Sequence, residues 1–300
     1  MSGPQIRKVA VLGAGLMGHG IAQVCAQTAG YHVTLLDVKQ EFVDRGVSMI
    51  KDSLARFVSK GTLDKQKAEA ILGRIRATTD LKSAVEGAHL VIEAATEDPK
   101  LKLDLYRKVS DHLQPGAILA SNTSSISITL LGSATKNPEN VAGMHFFNPP
   151  QLMPLVEIIR GAKTSDATVE TVREVAKQMG KETVLCKKDS PGFIVNRILV
   201  PALTEATLLV DEGVADKEDI DKAVTLGLSW PMGPLKLLDY VGLDTALSIS
   251  KVLEENLKDP KYRPSPLIQQ MVRAGLLGRK SGKGFYEWGS PSATKTKASP

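Results

Sequence analysis

Hydrophobic positions in this chain alternate between two spacings. Near-unbroken apolar runs at Val9-Ala10-Val11-Leu12, Val33-Thr34-Leu35-Leu36, Leu90-Val91-Ile92 and Ile118-Leu119-Ala120 read as short strands buried on both faces. A further strand is expected over residues 75–78. Between these runs the period changes to three or four. Over residues 41–59, Phe42, Val43, Val47, Ile50, Leu54, Phe57 and Val58 mark one face of a long amphipathic helix. A second helix over 64–75 follows the turn at Gly61, so a helical pair is inserted into the first half. Asp98-Pro99 supplies a cap and a first-turn proline for a helix whose inner face is Leu101, Leu105 and Val109. Strands over 141–147 and 155–160, a helix over 164–179 stopped by Gly180, and a strand over 183–186 complete this half. Strand–helix–strand alternation predicts a Rossmann-type, mostly parallel sheet whose carboxyl ends gather loops into one crevice.

After the polar, breaker-rich stretch Lys188-Asp189-Ser190-Pro191-Gly192 the strand pattern ceases. Helices are expected over 193–210 with a kink at Pro201, from Asp216 through Val224, over 234–240 and 244–257, and from Ser265-Pro266 to near Gly275. The expected organisation is therefore α/β over 1–188, an all-helical domain over 189–290, and a solvated tail over 291–300. The apolar excess on the helices of the second domain points to pairing with a second subunit.

Composition narrows the class. With 42% apolar and 24% charged residues in 300, the chain reads as soluble and long enough for two domains. No apolar run is long enough to span a bilayer, and residues 1–5 lack a signal-peptide pattern, so a cytoplasmic enzyme is expected. Cys25 and Cys186 have no spacing suited to zinc or a disulfide, and no metal is expected. The net charge of +5 favours an anionic small molecule. It forms no single stripe that would suit nucleic acid.

Three stretches carry candidate chemistry. The first is Gly13-Ala14-Gly15-Leu16-Met17-Gly18, between the first strand and a helix. Gly13 suits the tight turn, Gly15 lets backbone approach a pyrophosphate, and Gly18 lets the helix lie close on the strand. Asp37 closes the second strand 22 positions beyond Gly15, where a carboxylate takes ribose hydroxyls and repels a 2′-phosphate; NAD is favoured over NADP. The second is Ser121-Asn122-Thr123-Ser124-Ser125, a hydroxyl-rich loop at the crevice, richer than one helix cap requires. The third pairs His145 with Glu157. Glu157 interrupts an apolar strand, an expensive place for an unpaired carboxylate, and His145 on the preceding strand is its nearest partner. Glu bonded to one ring nitrogen raises the basicity of the other, giving a general base for an alcohol proton.

Together with Pro191-Gly192-Phe193-Ile194-Val195-Asn196-Arg197, Pro231-Met232-Gly233-Pro234 and the run 280–286, these motifs resemble the L-3-hydroxyacyl-CoA dehydrogenase family in its stand-alone form. The resemblance implies oxidation of a short (S)-3-hydroxyacyl-CoA to the 3-ketoacyl-CoA, with NAD as cofactor. It makes His145 the base and Glu157 its orienting partner, with Ser124 and Asn196 bonding the reacting oxygen. Asp37, Glu97, Lys102, Asn148 and Lys280 would join the glycine turn in contacting NAD. Ser53, Lys60 and Ser124 would contact the substrate, and the helical domain would form a homodimer. Two alternatives stay open: a dehydrogenase of a free hydroxy acid, resembling L-gulonate dehydrogenase, and a non-catalytic NAD-binding protein. Tyr31, which lengthens the turn before the second strand, and the prolines after Asn148 are departures from the family pattern.

Overall fold

The computed structural model describes residues 6–289, so the expected tail over 291–300 lies outside the described residues. The chain divides into two compact units, meeting in sequence between Ser190 and Pro191.

The first unit holds one eight-stranded sheet. Its strands are β1 (Lys8–Leu12), β2 (His32–Leu36), β3 (Ile75–Thr78), β4 (Leu90–Glu93), β5 (Ile118–Ser121), β6 (Val141–Phe146), β7 (Leu155–Ile159) and β8 (Glu182–Cys186), in the order β3-β2-β1-β4-β5-β6-β7-β8. Neighbours run parallel except β6 and β7. That exception follows from chain length. The eight residues between β6 and β7 are too few for a parallel crossover, which needs a dozen or more, so the chain reverses.

The helices are α1 (Gly18–Gln27), α2 (Gln40–Ser59), α3 (Lys65–Gly73), α4 (Leu81–Val85), α5 (Pro99–Ser110), α6 (Ile128–Gly132) and α7 (Asp166–Gln178). Asp64, Asp80, Asp98, Ser127 and Ser165 cap five of them by accepting from first-turn amides. α4 and α6 were not expected; five residues are too few to show helical periodicity. β1, β4 and β5 are buried almost throughout, and α1 is buried along most of its length against the sheet core of Val9, Val11, Val33, Leu35 and Ile92. Strand order reverses between β1 and β4, and their carboxyl ends open the crevice in which such sheets bind ligands.

The second unit is helical: α8 (Val195–Asp211), α9 (Lys217–Gly227), α10 (Pro234–Val241), α11 (Leu243–Leu257) and α12 (Pro266–Arg273). Its core gathers Leu203, Leu235, Leu238, Leu243, Ile268 and Phe285. α8 starts two residues later than the periodicity predicts. Gly192 and Phe193 have φ of +73° and +51°, so the chain passes through left-handed geometry before the helix begins.

Candidate active site

The glycine turn has the shape the sequence implied. Gly13 has φ +107°, and a Cβ there would lie 2.5 Å from the Ala94 carbonyl oxygen; one on Gly18 would lie 1.7 Å from that of Gly13. Both glycines are demanded by the protein's own packing. Gly15 is different: a Cβ there would meet nothing within 4 Å, so the space in front of it is open to a ligand. Asp37, at the end of β2, accepts from the Ala14 amide at 2.8 Å and from Val38 at 2.7 Å, which fixes its carboxylate beside the turn. Leu16 and Met17 lead into α1, whose first amides and dipole face the same opening. Open backbone at Gly15, a helix N-terminus and an anchored ribose-type carboxylate fit NAD.

At the neighbouring strand ends, β6 and β7 place His145 directly opposite Glu157 in antiparallel register. The ring Nδ1 lies 2.7 Å from Glu157 Oε2, with Glu157 fully buried and His145 6% exposed. A carboxylate only accepts, so Nδ1–H donates and Nε2 carries the lone pair. Phe147 packs on the imidazole with ring centroids 4.7 Å apart. Asn122 ties the hydroxyl loop to this strand by accepting from the Phe146 amide at 2.8 Å.

The hydroxyl loop is organised around Glu97. One oxygen of this carboxylate accepts from the Thr123 hydroxyl, the Ser124 amide at 3.0 Å and the Ser125 hydroxyl at 3.2 Å, with the Ser124 hydroxyl at 3.5 Å; the other faces Lys102 at 3.3 Å. Burial pushes the Glu97 acid up, but Lys102 and the loop donors outweigh it and hold the group below its ordinary value. Lys102 itself is 1% exposed and bonds Glu93 at 2.5 Å. Its ammonium sits beneath the surface, bracing carboxylates, where the resemblance placed it among the cofactor contacts.

Ser53 and Lys60 line a cavity of about 340 Å³ between α2, the start of α1 and the loop after β6. Asn148, Pro149, Gln151 and Leu152 form the loop's side of it, three residues beyond His145. His19 and Arg56 line it as well, and neither was expected. His19 Nδ1 donates to the Gly15 carbonyl at 2.8 Å, and burial holds this imidazole below its ordinary value despite that bond. Lys181 braces the same loop by donating to the Pro150 and Met153 carbonyls at 2.6 and 2.8 Å. No local sequence signal marks Lys181, because both of its acceptors are distant backbone oxygens.

The remaining expected residues belong to the second unit. Asn196 is the second residue of α8, and Lys280 forms an ion pair with Asp244. Among the described residues no cluster of His, Cys, Asp or Glu is arranged for a metal ion.

Residues 8–190 match the family model described as 3-hydroxyacyl-CoA dehydrogenase, NAD binding domain, and residues 192–288 match 3-hydroxyacyl-CoA dehydrogenase, C-terminal domain. A probable 3-hydroxybutyryl-CoA dehydrogenase of Deinococcus radiodurans is 52% identical over 281 residues, covering 94% of this chain and all of that one. The crystal structure of (S)-3-hydroxybutyryl-CoA dehydrogenase PaaH1 from Ralstonia eutropha superposes with a TM-score of 0.90 at 44% identity, covering 95% of this chain and 99% of that chain. M. tuberculosis FadB2 gives a TM-score of 0.92 at 45% identity with the same coverage.

Proposed function

Because the chain belongs to the 3-hydroxyacyl-CoA dehydrogenase family and carries its NAD-binding domain, we propose that it oxidises a short (S)-3-hydroxyacyl-CoA, with His145 as general base. The observation that carries this reading is the buried Nδ1–Oε2 contact of 2.7 Å at the carboxyl edge of the dinucleotide sheet. Bound at the glycine turn and Asp37, NAD supplies the hydride acceptor. Nε2 of His145 takes the proton of the 3-hydroxyl group, and the imidazolium so formed lies against the Glu157 carboxylate, which offsets the new charge where it arises. Ser124 hydrogen-bonds the reacting oxygen, the task the family resemblance also gives Asn196. Ser53 and Lys60 take the CoA portion, and Asn148 and Lys280 contact the cofactor. Glu97 contacts NAD at its exposed edge, with Lys102 supporting it from below.

The second unit supports a homodimer. Ile198, Leu226 and Leu228 are each more than 60% exposed, apolar surface that a second copy of the helical unit would cover. Sedimentation at micromolar concentration should give twice the chain mass, and a monomer would end this part of the reading. No helix among the described residues is long and apolar enough to cross a membrane, and a cytoplasmic location goes with this function.

The decisive experiment compares NAD-linked turnover of (S)-3-hydroxybutyryl-CoA with that of free 3-hydroxybutyrate. A clear preference for the thioester is expected. Equal or better use of the free acid would replace this proposal with a free hydroxy-acid dehydrogenase.

A further inference from the structure

In the first unit, the mechanism leaves the buried charge of Glu93 without a task. Glu93 is the last residue of β4 and is wholly buried. Its Oε1 accepts from Lys102 at 2.5 Å and from the Ala95 amide at 2.7 Å, while Oε2 accepts from the Ser121 hydroxyl at 2.7 Å. A buried carboxylate this well satisfied holds its partners in one geometry, because releasing any of them would strand a charge or a polar group in low dielectric.

Those partners belong to both halves of the site. On one side, Ala94 and Ala95 form the wall against which the glycine turn is pressed. The Ala94 amide bonds the Leu12 carbonyl at 2.7 Å, and the Ala94 carbonyl is the atom a Cβ on Gly13 would strike. On the other side, Ser121 opens the hydroxyl loop and is held twice, since its oxygen also accepts from the Thr123 amide at 3.1 Å. Lys102 then passes the constraint to Glu97, the carboxylate onto which Thr123, Ser124 and Ser125 converge. Lys102 is the only Lys, Arg or His found in an ion pair with either carboxylate among the described residues.

We propose that Glu93 is a positioning residue that sets the dinucleotide turn and the hydroxyl loop in register with each other. It touches neither cofactor nor substrate. It acts on the cofactor side through Ala94 and Ala95, and on the substrate side through Ser121 and the Lys102–Glu97 pair. The substrate half of this inference rests on the proposed role of Ser124; the cofactor half rests on the NAD-binding family domain alone.

The test is E93Q, which keeps shape and removes charge, with NADH binding read by fluorescence and turnover read at saturating NAD and acyl-CoA. NADH affinity and kcat should each fall about tenfold, the scale on which small misplacements of reacting groups are felt. A merely structural role would instead lower thermal stability and leave kcat and NADH affinity per folded molecule intact. Should E93Q not accumulate as folded protein, E93D, which keeps the charge but shortens its reach to Lys102 and Ser121, is read the same way. A folded variant whose NADH affinity or kcat stays within about twofold of the parent overturns the inference. Failure of the functional reading looks different: the parent protein would bind NADH normally yet not turn over the thioester.

Discussion

Each unit of this protein buries carboxylates, and the two sets differ in what they hold. In the first unit, Glu157 accepts from an imidazole and Glu93 from an ammonium, both at the carboxyl edge of the sheet. In the second, Asp239 accepts from the amides of Phe285 and Tyr286 and the indole of Trp288, while Asp221 accepts from the amides of Leu235 and Lys236 and the Tyr286 hydroxyl. Backbone presses onto both aspartates: a Cβ on Gly284 would lie 2.0 Å from Asp239 Oδ1, and one on Gly233 would lie 2.3 Å from the Asp221 side chain. The second set therefore fixes the segment ending at Trp288 onto α9 and α10, and its donors have no titration near neutral pH to offer. Burying a charge is costly in either place. The partner decides whether that cost supports chemistry or architecture.

Breaking the first set should stop the reaction. His145→Gln is expected to lower kcat about a thousandfold, within the range of a lost general base, with NADH affinity by fluorescence titration unchanged. Glu157→Gln should cost about a hundredfold, since the imidazole keeps a partner but loses the charge that stabilises its protonated form; a loss under about tenfold would remove Glu157 from the mechanism. Breaking the second set should act on stability instead. Asp239→Asn replaces one of two acceptor oxygens with an NH2 donor in a site lined by three N–H donors, and is expected to destabilise the helical unit by about 3 kcal/mol in denaturant titration, with kcat per folded molecule retained.

Two less buried carboxylates sharpen the contrast at smaller scale. Asp37→Ser should raise the NADP/NAD ratio of kcat/KM by about tenfold, because it removes the charge that repels a 2′-phosphate. Glu97 lies below its ordinary value of 4.5. The stability it contributes is therefore complete above that value and is lost as pH falls through the lower, folded one. Its side chain is 39% exposed, so the effect is small. Glu97→Gln should flatten the acid limb of stability in denaturant midpoints taken between about pH 6 and about pH 3.

Much of the first unit was legible because its signals are local. Apolar runs marked the strands, Asp98-Pro99 opened α5, and Gly13 and Gly18 stood where the turn leaves no room for a side chain. Glu157 was found because a carboxylate inside an apolar run needs a partner. Glu93 ends the run Leu90-Val91-Ile92 and carried the same signal, but its partners lie 9 and 28 positions away, on a helix and on another strand. On α5 the expected inner face included Leu101, which is 61% exposed, while Lys102 and Tyr106 are turned inward, because Glu93 and Glu97 receive the ammonium there.

The sequence alone determined the order of the strands and of the α-helices longer than five residues, the nucleotide turn and the change to an all-helical second unit, since each depends on residues within one or two turns of chain. Only the tertiary structure decided that β7 runs against β6 in the register that sets Glu157 opposite His145, and that one ammonium serves two carboxylates. Those facts depend on register and on charge neutralisation between distant segments, which exist only once the chain has closed on itself.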